Sequence, residues 1–148
     1  MKSNVPWIFE GKEVKDIPQD VMGFIYKITN LDNGKFYYGR KTVWSARKKK
    51  LTKKEKLEPE NKRKTFKREM TQSNWRTYCG SSKPLLEDIK RGDRIRKEII
   101  TFCSSKAEMT YYEARAIICG DSLLTENCYN DWGSFRIYKK HLMATVKD

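Results

Sequence analysis

Apolar residues along the chain fall into short, punctuated groups with different periods. Residues 1–22 mix polar residues with Pro6, Trp7, Ile8, Phe9 and Pro18, and read as an irregular N-terminal arm lying over the domain. Phe24-Ile25-Tyr26-Lys27-Ile28-Thr29 is dense in β-branched and aromatic residues, and Phe36-Tyr37-Tyr38-Gly39 resumes that texture. Between them, Leu31-Asp32-Asn33-Gly34 supplies a turn, because the Asn-Gly pair tolerates positive φ. The pattern predicts a β-hairpin.

Farther along, Ser81-Ser82 followed by Pro84 marks a helix start, with Leu85, Leu86 and Ile89 as its apolar stripe and Gly92 as its stop. Ile95 to Phe102 predicts a third strand. Ser105-Lys106-Ala107-Glu108 matches a capping box and opens a helix to about Cys119, with Met109, Tyr112, Ala116 and Ile117 able to face the sheet. Glu113 sits among those core positions. A turn-rich segment from Asp121 to Arg136 wraps back, and residues 137–148 form a tail. These elements describe one small α+β domain over residues 23–136, a three-stranded antiparallel sheet flanked by helices.

Charge changes this picture at one place. Between Arg40 and Met70 stand fourteen basic and four acidic residues, which is +10 of the formal +13 of the chain. A one-signed block of this kind fits a docked polyanion better than a solvated face, which mixes signs. Residues 44–70, poor in apolar side chains after Trp44, read as a basic helical insertion with a loop near Pro59. Nucleic-acid contacts are expected from Arg40, Lys48, Lys49, Lys50, Lys53, Lys54, Arg63 and Lys64, with Trp75 offering an aromatic face for base stacking. No apolar run approaches the ~20 residues of a bilayer-crossing helix. The N-terminus lacks a signal-peptide core. Cys79, Cys103, Cys119 and Cys128 form no C-x-x-C pair, and His141 is the single histidine, so a structural zinc site has little to build from. A cytoplasmic protein with reduced thiols is expected.

The hairpin carries a family resemblance. Phe24-Ile25-Tyr26, preceded by Gly23, and Tyr37-Tyr38-Gly39 resemble the paired motifs of the GIY-YIG nuclease family, with Phe24 standing where the first Gly belongs and Tyr38 where the second Ile belongs. Arg47 follows Gly39 by eight residues, the spacing at which the family places a catalytic arginine at the start of its first helix. Glu113 corresponds to the metal-binding glutamate, and Asn130 to an asparagine that buttresses the site. Tyr78-Cys79-Gly80-Ser81 is similar to an element of small phage-type members, in which Ser81 would meet DNA. The resemblance spans Gly23 to Asn130. It implies an endonuclease that hydrolyses phosphodiester bonds of double-stranded DNA with Mg²⁺ or Mn²⁺, acting as a phage homing or genome-degrading enzyme in the host cytoplasm. Double-strand cleavage would take a dimer, a partner protein or two visits.

The implied roles are chemically sensible. A guanidinium such as Arg47 stays charged and forks onto phosphate oxygens. A lone carboxylate, Glu113, suits an ion that keeps several waters and takes other ligands from substrate. Tyr26 and Tyr37 would position and deprotonate the water, which requires cations such as Lys41 and Arg40 to lower a phenol from ~10. The chain departs from the family in placing Leu51 where some members carry a histidine. The alternative reading is a non-catalytic nucleic-acid-binding module that retains the nuclease fold.

Overall fold

The computed structural model describes residues 3–59, 63, 65–133 and 135–144. Its centre is β3 (Gly23–Asn30), whose Phe24, Ile25, Tyr26 and Ile28 are all buried, as required of a strand covered on both faces. It pairs antiparallel with β4 (Phe36–Thr42) on one side and with β7 (Ile95–Cys103) on the other. The predicted hairpin and third strand are therefore present. The turn is tied by Asn30, whose amide N–H donates to the Lys35 carbonyl at 2.7 Å, while Gly34 takes a φ of +77°.

The sheet has five strands rather than three. β1 (Trp7–Phe9) runs parallel to β7, pairing Trp7 with Lys97, and β2 (Lys12–Glu13) folds back on β1, giving the order β2-β1-β7-β3-β4. The expected N-terminal arm is thus partly sheet edge and partly core. The Trp7 indole is buried against Phe24, at 4.9 Å between ring centres, and its Nε1 donates to the Trp75 carbonyl at 2.6 Å. Burying a side chain of that size, ~150–250 Å², contributes at most roughly 4–6 kcal/mol.

Layers on the two faces follow from alternation along β3. Phe24, Tyr26 and Ile28 meet Trp75, Cys79 and Leu85 on one face; Ile25 meets Cys103 and Met109 on the other. Leu85 comes from α2 (Lys83–Arg91), whose N-cap is Ser82 and whose C-cap, Gly92, is left-handed. Met109 comes from α3 (Lys106–Cys119), where Ser105 Oγ accepts from the Glu108 amide. The Glu108 carboxylate accepts from Ser104 instead of Ser105, so the capping box is displaced by one residue.

The basic insertion is a β-ribbon rather than a helix. β5 (Trp44–Lys50) and β6 (Phe66–Gln72) form a separate two-stranded antiparallel sheet, and among the described residues between them the single turn of α1 (Lys53–Lys56) is the one α-helical piece. Lys and Arg are good helix formers, but cross-strand pairing and the period-2 burial of β6 prevail over propensity here. The root is fixed by the Val43 amide donating to the Met22 carbonyl at 2.7 Å, and by the Ser73 hydroxyl donating to the Thr42 carbonyl at 2.6 Å. The C-terminal tail contributes α4 (Lys139–Met143). Among the described residues no helix is long and apolar enough to cross a membrane.

One core residue titrates unusually. Lys97 is fully buried; its Nζ donates to the Arg76 carbonyl at 3.2 Å and lies 4.4 Å from the Trp7 ring centre. Burial lowers its ammonium from 10.5 to about 8. Between those values the unfolded chain holds a proton that the folded chain has released, so this residue makes stability rise with pH across that window. Lys97→Met is expected to narrow its advantage over wild type as pH goes from 7 to 10, by a total on the order of 3 kcal/mol. Urea denaturation of both proteins at each pH measures it. An advantage that stays constant across the range would show that Lys97 keeps its proton in the folded chain, without the shift that burial imposes.

Candidate active site

β4 is an edge strand of the main sheet, and its free side is closed by side-chain chemistry. The segment after α3 runs alongside it: the Phe36 amide donates to the Asn127 carbonyl at 3.0 Å and the Tyr129 amide to the Phe36 carbonyl at 2.8 Å. Two residues on, the Asn130 side chain imitates a strand. Its Oδ1 accepts from the Tyr38 amide and its Nδ2 donates to the Tyr38 carbonyl, both at 2.9 Å. Tyr129 holds this segment by donating its hydroxyl to Asp88 Oδ2 at 2.6 Å and accepting from Asn30 and Asn33. Asn30 is itself fully buried, and its Oδ1 accepts from the Asp32 and Asn33 amides. The hairpin turn, α2 and the buttress are thereby one hydrogen-bonded unit.

A cavity of about 610 Å³ opens along this edge, lined by residues from both faces of β4, the first turn of α2, α3 and the 129–135 segment. Tyr37 stands on the α2 side, with its hydroxyl 3.2 Å from Ser81 Oγ. Tyr26 lies behind it in the core at 6.1 Å between ring centres, pressed onto Gly39, its cross-strand partner. On the α3 side, Arg40 Nε lies 3.7 Å from Glu113 Oε2, and Arg40 Nη1 donates to Thr110 Oγ1 at 2.9 Å. The Glu113 carboxylate is half-buried and, among the described residues, accepts no hydrogen bond, so the loose ion pair to Arg40 is its one polar contact there.

Electrostatics separate the two walls. Burial raises Tyr26 well above the usual phenol value, with Tyr78, Tyr37 and Glu113 adding to it. Tyr37 is also raised, chiefly by burial. Lys41 does not oppose this: its Nζ sits 4.1 Å from the Tyr78 ring centre, outside the cavity lining, and burial lowers its own affinity for a proton. The expectation of a cation-depressed tyrosine is therefore reversed, and both phenols are neutral donors near pH 7. Glu113 is raised by burial, an effect that Arg40 partly offsets.

Tyr26, Tyr37, Arg40, Ser81, Glu113 and Asn130 are brought together here. Arg47 is not. It lies exposed on β5, outside the cavity, because the chain after Gly39 continues as strand where a helix was expected. Trp75 is fully buried in the core, with the Arg76 guanidinium 4.5 Å from its ring centre, and cannot stack on a base. Lys48, Lys49 and Lys50 are exposed on β5, Lys53 and Lys54 on α1, and Arg63 beyond it; Lys64 lies outside the described residues. Sequence reasoning missed Lys83, Asp131 and Trp132, the last 74% exposed at the cavity rim. It gave Arg40 a DNA contact and a share in the field on the tyrosines, but no place opposite Glu113. Alternation along Tyr37–Thr42 puts Arg40 opposite to Tyr37, toward the face that the Glu113 helix covers, and that signal was available.

Comparison with known families adds one match. The family model described as "Putative endonuclease segE, GIY-YIG domain" matches residues 7–135, from β1 through the Asn130 segment. No curated protein and no solved structure gives a significant match.

The Tyr26–Gly39 contact is testable by itself. A Cβ at position 39 would sit 2.6 Å from Tyr26 Cζ and would strike its hydroxyl. Gly39→Ala is expected to cost about 1–3 kcal/mol in thermal or urea unfolding, the usual scale of core overpacking. Adding Tyr26→Phe should recover part of that loss. Additive losses in the double variant would refute the contact.

Proposed function

Since the chain belongs to the GIY-YIG nuclease family, we propose that it is an endonuclease that hydrolyses phosphodiester bonds of duplex DNA in the cavity between Tyr37, Arg40 and Glu113, with a divalent cation, Mg²⁺ or Mn²⁺. The observation that carries this reading is the half-buried Glu113 carboxylate, unsatisfied by hydrogen bonds from the described residues and facing Arg40 across a solvent-open cavity. A half-buried carboxylate held that loosely favours a second positive ligand.

The donor set fits such an ion. Among the described residues no three His, Cys, Asp or Glu side chains cluster, so a protein cage is excluded there. Glu113 would instead supply one anionic ligand to a cation that keeps waters and takes phosphate oxygens. When bound, the ion would polarise the phosphate and stabilise negative charge on oxygen.

The chain's own groups divide the remaining work. Arg40 is placed to fork onto non-bridging phosphate oxygens and to balance charge as the water oxygen bonds to phosphorus and the ester P–O bond breaks. Tyr37, a neutral phenol, donates a hydrogen bond to the phosphate or to the attacking water. Tyr26 is a positioning residue that sets the Tyr37 ring from below, and Asn130 holds the β4 backbone between Tyr37 and Gly39. Lys83, on the first turn of α2, lines the same cavity and favours an anion there. A role as a phage homing or genome-degrading enzyme belongs to the same reading. One cavity per chain cuts one strand, so a double-strand break takes a dimer, a partner or two visits.

Incubation with supercoiled plasmid and Mg²⁺ or Mn²⁺ is expected to give nicked or linear product, lost in EDTA. Glu113→Gln and Arg40→Ala should each lower the rate by about 10²-fold or more, whereas Arg47→Ala should stay within about tenfold of wild type. Because the Glu113 pKa is raised, its ionised form and the rate should fall toward acid earlier than for an ordinary carboxylate. Cleavage that survives Glu113→Gln, or that depends on Arg47 more than on Arg40, would overturn the assignment.

A further inference from the structure

The β5–β6 ribbon has two chemically different faces. Residues directly paired across an antiparallel ladder share a face, and successive residues alternate. One face carries Ser45–Thr71, Arg47–Glu69 and Lys49–Lys67. Two of its three cations are paired: Lys49 Nζ lies 3.1 Å from Glu69, and Lys67 pairs with Glu55 of α1. Lys67, Glu69 and Thr71 are half-buried on it, and Leu51 is buried at its end.

The other face carries, from root to tip, Trp44–Gln72, Ala46–Met70, Lys48–Arg68 and Lys50–Phe66. Lys48, Lys50 and Arg68 have no ion-pair partner among the described residues. Met70 and Phe66 are 46% and 55% exposed beside them. Three uncompensated cations, two exposed apolar side chains and no acid make this face unlike a solvated surface.

We propose that this face of the ribbon enters the major groove of duplex DNA, with Lys48, Lys50 and Arg68 on phosphates and base edges and Met70 and Phe66 against the groove floor. The inference rests on the duplex-DNA reading above and adds the surface that grips the substrate. The dimensions agree: a B-form major groove, ≈ 12 Å wide, admits a two-stranded ribbon. Seven-residue strands extend roughly 20–24 Å, about six base pairs at ~3.4 Å each. The connection agrees too. β5 continues from β4 through the single buried residue Val43, so the ribbon is rooted four residues from Arg40. Cleavage cavity and groove-binding arm therefore lie on one continuous length of chain.

The test uses the full chain carrying Glu113→Gln, to prevent cleavage, and fluorescence anisotropy with a 30-base-pair DNA duplex over a range of salt. Lys48→Gln/Arg68→Gln is expected to weaken binding at least tenfold and to lower the slope of log affinity against log salt by about 2. Lys49→Gln/Lys67→Gln removes equal charge from the ion-paired face and should cost less than about threefold. An RNA duplex of the same sequence, whose deep narrow major groove excludes a ribbon, should bind at least tenfold more weakly than the DNA. Equal losses from the two faces, or equal affinity for RNA and DNA, would overturn the proposal. Plasmid cleavage by the otherwise wild-type chain separates the two readings. Cleavage without face asymmetry removes the ribbon assignment alone, while face asymmetry without cleavage removes the nuclease and leaves the ribbon.

Discussion

Everything at the candidate site depends on the register of β3 against β4, which sets Tyr26 opposite Gly39. The tyrosine ring lies across the strand into the space that a side chain at 39 would fill, so a large residue and an absent one form a complementary pair. That contact lets the Tyr26 ring remain buried while Tyr37 packs over it at the cavity wall. A slip of one residue would exchange the faces of β4 and send Tyr37 toward α3 and Arg40 toward α2. The register is locked at the turn by Asn30, whose buried side chain binds two turn amides, Asp93 and Tyr129 at once. No member of that network is left without a partner, which is the condition under which a buried polar cluster specifies structure rather than weakening it.

An edge strand is usually a liability, since its unpaired amides invite another chain. Here the exposed edge is what makes a two-sided cavity possible. An interior strand shows its two faces to two separate layers; an edge strand lets side chains from both faces reach the same space. Tyr37 arrives from one face and Arg40 from the other, and the Asn130 amide fills the Tyr38 hydrogen-bonding positions between them. The buttress therefore satisfies the edge and fixes the β4 backbone with the same two bonds.

What was legible in the sequence was local. The hairpin turn, the Ser82 and Ser105 caps and the Gly92 stop each depend on neighbouring residues, and each stands where the pattern placed it. β1 was not legible, because Trp7 pairs with a residue ninety positions away and its own segment gives no hairpin signal. The ribbon was misread because lysine-rich text favours helix and Phe66 and Met70 stand four apart, while the alternation of β6 lies in its burial, set by pairing with β5. That error carried Arg47 into the site, since a count of eight from Gly39 reaches the cavity only if a helix turns the chain back. Trp75 was misassigned for a different reason: composition cannot tell a stacking aromatic from a core one. Tyr26, Tyr37, Glu113 and Asn130 were legible through the family resemblance, and the structure brings them to one cavity.

The reversal of the tyrosine expectation reshapes the chemistry assigned to the cavity. A phenol activates water as a base only if cations stabilise its anion, yet Lys41 turns to the Tyr78 ring, and Glu113 adds negative potential. The same burial that packs Tyr26 onto Gly39 raises the cost of ionising it. Fold and proton chemistry are thus set by one packing decision: a buried, neutral tyrosine wall on the α2 side and a half-buried carboxylate on the α3 side. Burial opposes charge on all three groups, and at Glu113 the Arg40 guanidinium partly offsets it. A cation at Glu113 would strengthen that asymmetry by favouring the carboxylate's charged form while leaving the phenols as donors. Arg40 stands at the boundary between the two walls, where a phosphate would meet both.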